Sequence, residues 1–145
     1  MSSISQTNHW VFFALASAFF AALTAIFGKL GVTEINSNLA TLIRTAVILI
    51  MVFGIVAFRN EWQPLNKISP FGISMLVLSA IATGLSWLFY YRALQLGSAS
   101  RVAPIDKLSI IFVIVLSVLF LGESLSWKVM LGGLLVVSGA ILLAI

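Results

Sequence analysis

Residues 98–121 read SASRVAPIDKLSIIFVIVLSVLFL, an apolar stretch long enough to cross a bilayer but interrupted by Asp106 and Lys107. A second stretch, residues 39–53, reads LATLIRTAVILIMVF and holds Arg44. A charge at bilayer depth costs about 2.5–3.5 kcal/mol on insertion scales, so such side chains turn toward a bundle interior or a watery cavity. Lys107, Asp106 and Arg44 are therefore candidates for a substrate pathway.

Working outward, the same kind of apolar segment recurs along the whole chain. Spans of roughly 20 residues fit a bilayer core, and five can be laid end to end at approximately 10–30, 37–58, 70–91, 98–121 and 127–145. Hydrophobic residues make up 61% of the sequence and charged residues 8%, against about 25% charged in an ordinary soluble domain. Mean hydropathy is +1.18. The fold class is an all-α, multi-pass integral membrane protein with one membrane domain, and the lipid bilayer is its first partner. The connectors GVTEIN, RNEWQPLNKIS, RALQLG and GESLS are short and hold most of the turn formers and charges. The first span has no basic residue before it and is longer than a signal core, so it reads as a helix.

Several functions are excluded. There is no cysteine, which removes disulfides and thiolate metal sites. His9 stands alone, without the ligand cluster a metal needs. No glycine-rich Lys-Ser/Thr phosphate loop and no nucleophile-base pair occur, so the chain reads as neither an ATP-driven pump nor an enzyme, with no cofactor. The net charge of +4 forms no basic run, so nucleic acid is not a partner.

Cations at the connectors and helix ends divide evenly. Lys29, Arg92 and Arg101 fall on one side, and Arg59, Lys67 and Lys128 on the other. Cytoplasmic loops normally carry the excess of Lys and Arg, so an even split is compatible with insertion in both orientations. Counting Arg44 and Lys107 with the first group instead places the N-terminus outside. Carriers are commonly built from two inverted repeats around a midplane site. A single small unit with an odd number of spans meets that requirement as an antiparallel, dual-topology homodimer.

Within the fourth span, Asp106 and Lys107 lie about 12–14 Å along the axis from Ser98. On a continuous helix they point about 100° apart, and their i±3 and i±4 neighbours are uncharged, so ion partners are expected from elsewhere. One reading puts Lys107 on a substrate anion and Asp106 on a cation, either Arg44 or a translocated proton. The other makes Asp106 to Arg44 a static interhelical bond. Pro104 removes a backbone donor beside this pair and is a candidate hinge or a static kink. Trp87 is a cavity-lining candidate for an apolar or cationic group. Tyr91 closes the pathway set, although with Tyr90, Trp10 and Trp127 it also reads as an interface anchor. Small residues repeat at Ala14, Ala18 and Ala22, and at Gly132, Gly133, Gly139 and Ala140; the latter group is the candidate dimer or helix-packing contact. Glu123, just before Ser126, suits the start of the last helix.

The run ALQLGSASRVAPIDKLSIIFVIVLSVLFLGESLSWKVMLGGLLVVSGAILLA resembles the second half of an EamA domain of the drug/metabolite transporter superfamily. The features that carry the likeness are YYRAL closing the third helix, the small-residue and proline entry to the fourth, LGE at Gly122 and Glu123, and the glycine-spaced last helix. The first half is similar through FGKLG and the position of Arg44. The resemblance implies one five-helix repeat of a fold usually met as two fused copies, and a function in moving small molecules. Sugar-phosphate members of the superfamily look to hold phosphate with a lysine on the corresponding fourth helix, which favours an anionic or zwitterionic substrate at Lys107. In size the chain is closer to the small multidrug exporters, but their first-helix glutamate has no counterpart, since no acid occurs between Trp10 and Leu30.

The sequence thus predicts a secondary carrier of small metabolites working by alternating access in a prokaryotic inner membrane. The alternatives are small-multidrug-type efflux of cations and a non-transporting accessory half-subunit.

Overall fold

The computed structural model describes residues 9–145. Its elements are α1 (His9–Gly31), α2 (Ser37–Arg59), a 3-10 turn (Leu65–Lys67), α3 (Pro70–Leu96), α4 (Ala99–Asp106), α5 (Ser109–Leu121) and α6 (Trp127–Ala144). Five spans are long and apolar enough to cross a membrane: α1, α2, α3, α4 with α5, and α6. No strand occurs among the described residues. Large apolar side chains are outward on every span, from Phe12 and Phe20 to Leu119 and Leu142. In water such a surface is untenable, whereas in lipid it is the solvated face, and helices satisfy their own backbone groups.

Two compact units form. The first comprises residues 31–96, in which α2 and α3 make an antiparallel hairpin. Asn36 starts α2 by accepting the Asn38 N–H at 2.9 Å, meeting one of the donors a helix start leaves unpaired. The helix stops at Asn60, whose φ of 53° is left-handed, and the Asn60 and Glu61 N–H groups return to Ala57 and Val56 in a Schellman-type cap. Trp62 then lies edge-on to Phe53, centroids 5.5 Å apart. Ser69 accepts the Gly72 N–H at 3.0 Å, and Pro70 occupies the first helical position, where no donor is needed.

The expected end of the third span at Tyr91 is corrected, because α3 continues to Leu96. Arg92 and the ALQL that follows are good helix formers, and Leu94 is fully buried. Arg92 donates to Gln95 Oε1 at 3.0 Å. Gln95 Nε2 in turn donates to the Val32 and Ile35 carbonyls at 3.2 and 2.9 Å. That amide ties the end of α3 to the segment leading into α2.

The second unit comprises residues 1–30 and 97–145, of which residues 1–8 are outside the described set. Both α4 and α5 pack on α6. Lys29, in the last turn of α1, donates to the Gly97 carbonyl at 2.8 Å. The expected continuous helix over 98–121 is also corrected: it breaks at Lys107 and Leu108. Gly122 ends α5 with a φ of +66°, a left-handed conformation that glycine adopts without a Cβ penalty. Ser126 caps α6 through the Val129 N–H at 3.3 Å.

The glycine stripe of α6 splits by face. Gly133 and Ala140 are buried, and a Cβ on Gly133 would stand 3.0 Å from Ile114 Cδ1. Gly132 and Gly139 have nothing within 4 Å of that position. Gly133→Leu is expected to cost about 1–3 kcal/mol by overpacking against α5, with partial recovery on adding Ile114→Ala. Gly139→Leu in the monomer is expected to be near neutral, and denaturant unfolding in detergent compares the three.

Candidate functional site

Arg44 is the eighth residue of α2, about 10 Å along the helix from Ser37 at 1.5 Å per residue. Trp87 and Tyr91 lie one turn apart on α3, and i, i+4 spacing puts them on one face. The antiparallel hairpin brings the two levels together. The Arg44 guanidinium carbon sits 3.8 Å from the centre of the Trp87 ring and 5.5 Å from that of Tyr91. Tyr91 is buried at 5% exposure, so the expectation that it anchors the headgroup interface is corrected. The extra turn of α3 moves the tyrosine inside the helix.

Arg44 is half-buried. Among the described residues, its contacts are these two rings, with no carboxylate or carbonyl bonded to the guanidinium. Its neighbours on the same helix, Thr41 and Thr45, donate their hydroxyl protons to the Ser37 and Thr41 carbonyls, each at 2.8 Å. Cation–π contact contributes roughly 0.5–2 kcal/mol, less than the about 2.5–3.5 kcal/mol that an arginine costs at the centre of a span. The rings therefore fix the position of the charge without neutralising it. No fully buried side-chain nitrogen or oxygen is left unpaired among the described residues.

The other candidate cation is differently placed. Lys107 Nζ lies 3.2 Å from Asp106 Oδ2, with side-chain exposures of 61% and 37%. The expectation that these neighbours point apart and find ion partners elsewhere is corrected. Its premise was a continuous helix, and the helix stops between them. The Lys107 and Leu108 N–H groups bond the Pro104 and Ile105 carbonyls at 3.0 Å, an i to i−3 pattern that tightens the chain. The Ile110 and Ile111 N–H groups repeat it to Lys107 and Leu108, at 3.1 and 3.0 Å. Pro104, sixth residue of the eight in α4, lacks the donor that a regular helix needs. The lysine stem folds back over the unwound turn onto its own neighbour.

The sequence named Arg44, Trp87 and Tyr91 singly, and the structure makes one cluster of them. It missed Gln95 and Lys29 as ties between connectors. The available signal was a long polar side chain in the last turn of an otherwise apolar span.

The EamA-like transporter family matches residues 8–145. An uncharacterized transporter from the cobO 3' region of a Sinorhizobium species is 54% identical over 140 residues, covering 97% of this chain and 99% of that protein. An uncharacterized protein of Methanocaldococcus jannaschii is 38% identical over 69 residues, covering 48% of this chain and 50% of its own length. No solved structure matches. A double-mutant cycle with Arg44→Gln and Trp87→Leu is expected to yield about 1–2 kcal/mol of favourable coupling in detergent unfolding; additive effects would show that the contact contributes nothing.

Proposed function

We propose that this chain, which belongs to the EamA-like transporter family, is a secondary carrier moving a small anionic or zwitterionic metabolite by alternating access. The observation that carries the reading is Arg44: a cation within a membrane span, fixed on Trp87 and lacking a counter-anion among the described residues. A fixed positive centre lowers the cost of bringing an anion out of water. Release on the other side then requires the site to change its exposure, not its charge.

The Asp106–Lys107 pair suits a second role. An ion pair on an unwound turn beside a proline can open and close with little backbone cost, which is what a moving gate or a proton-coupling step needs. Lys107 engages an anion only by leaving Asp106, whereas Arg44 has no such competitor. Arg44 is accordingly the primary anion contact. Arg44 lies over the Trp87 ring, which favours an anion there over the apolar or cationic group that the ring alone suggests.

The working form is an antiparallel homodimer in a prokaryotic cytoplasmic membrane. Support comes from the even split of connector cations. A cysteine placed at the C-terminus of this cysteine-free sequence and labelled from outside intact cells is expected to react in about half of the molecules. Labelling of all or none would contradict the antiparallel form.

Proteoliposome exchange tests the carrier reading itself. Anion uptake is expected from the purified chain, with Arg44→Gln abolishing it. Lys107→Ala is expected to lower turnover while leaving apparent affinity little changed. Uptake of organic cations without anions would overturn the reading.

A further inference from the structure

Building on the carrier reading, we propose that the Arg44–Trp87–Tyr91 cluster is a carboxylate receptor, selective for a singly charged oxyanion held edge-on by the guanidinium. Three observations converge on it. The first is geometry. At 3.8 Å from the ring centre, one face of the planar guanidinium is covered by Trp87, and Tyr91 lies beside it at 5.5 Å. The edge is left free of the ring, and there N–H donors lie in the guanidinium plane in a fork that matches the two oxygens of a carboxylate.

The second is preorganisation. A free arginine side chain has many rotamers, and holding it costs binding energy. Here the stacking contacts hold it before a ligand arrives. The hydroxyls of Thr41 and Thr45 are directed to their own helix backbone, so neither competes as a donor for the incoming oxygens.

The third is charge. In the unit of residues 31–96, the other basic residues stand at helix ends or in the connector: Arg59, which pairs with Glu61 at 3.5 Å, Arg92 near the end of α3, where it bonds Gln95, and Lys67 in the 3-10 turn. In each protomer, one guanidinium at this depth is matched by one negative charge. A dianionic phosphate monoester would carry an unbalanced charge into a low-dielectric span, at a cost of the same kind that the lone arginine bears. The phosphodiester of an acidic lipid is also a singly charged oxyanion. It sits at the headgroup level, while Arg44 lies about 10 Å along α2 from its start. The aqueous carboxylate is therefore favoured.

The experiment uses the full chain with Trp10, Trp62 and Trp127 replaced by Phe, leaving Trp87 as the sole indole. In nanodiscs of phosphatidylcholine, acetate at constant ionic strength is expected to change Trp87 emission saturably. Arg44→Gln is expected to abolish the change. Arg44→Lys, which keeps the charge but loses the fork, is expected to weaken it about tenfold. This variant serves as the test if Arg44→Gln does not fold.

An unaltered titration in either variant would overturn the proposal. So would a stronger response to inorganic phosphate than to acetate. A response that appears only with phosphatidylglycerol in the disc, and not with acetate, would assign the site to a lipid. Because binding is read without transport, the two readings fail separately. Acetate binding without anion uptake by proteoliposomes would remove the carrier and keep the receptor. Anion uptake that survives Arg44→Gln would do the reverse.

Discussion

A guanidinium held against the face of Trp87, well inside a membrane span, is the contact on which the functional organisation depends. An arginine at that level would ordinarily extend toward the interface to keep its charge hydrated. Stacking on Trp87, with Tyr91 beside it, gives it a defined position instead. The α2–α3 hairpin places these side chains at one level, and the Gln95 ties to Val32 and Ile35 fix the end of α3 against the segment leading into α2. Register of the hairpin is thus also the register of the site.

The unit containing α4, α5 and α6 is organised around a different compromise. A proline in a short helix, a break in the helix and an ion pair between sequence neighbours all fall between Pro104 and Leu108. Gly133 lets α6 approach Ile114 on α5 closely, which packs the helix on the far side of the break. In lipid, where helices gain little from excluding water, close packing of this kind substitutes for a hydrophobic driving force. The break itself is stabilised by i to i−3 backbone bonds. A regular helix and a tightened turn of i to i−3 bonds therefore lie next to each other in one span.

Much of this architecture was legible in the sequence. The five spans follow from apolar length alone, whereas the caps that end them, Asn36, Ser69, Gly122 and Ser126, were found only in the structure. The end of α3 was not legible, because Arg92 looks like a connector signal although its neighbours favour helix. Pro104 announced an irregularity, but a proline does not say which following residues absorb it. The Asp106–Lys107 pair was hidden for the same reason, since helical geometry separates two side chains that an unwound turn reunites. Arg44, Trp87 and Tyr91 each drew notice alone. Their convergence depends on the register between two helices, which no local pattern encodes.

The central claim is that Arg44 is a fixed, stacked guanidinium available to an anion. Side-chain nitrogen NMR of arginine-labelled protein in lipid tests it most directly. Ring currents from Trp87 are expected to move the Arg44 resonance upfield, Trp87→Leu to return it toward the positions of exposed arginines, and added carboxylate to shift it again. An Arg44 signal that coincides with the exposed arginines and ignores both changes would contradict the account.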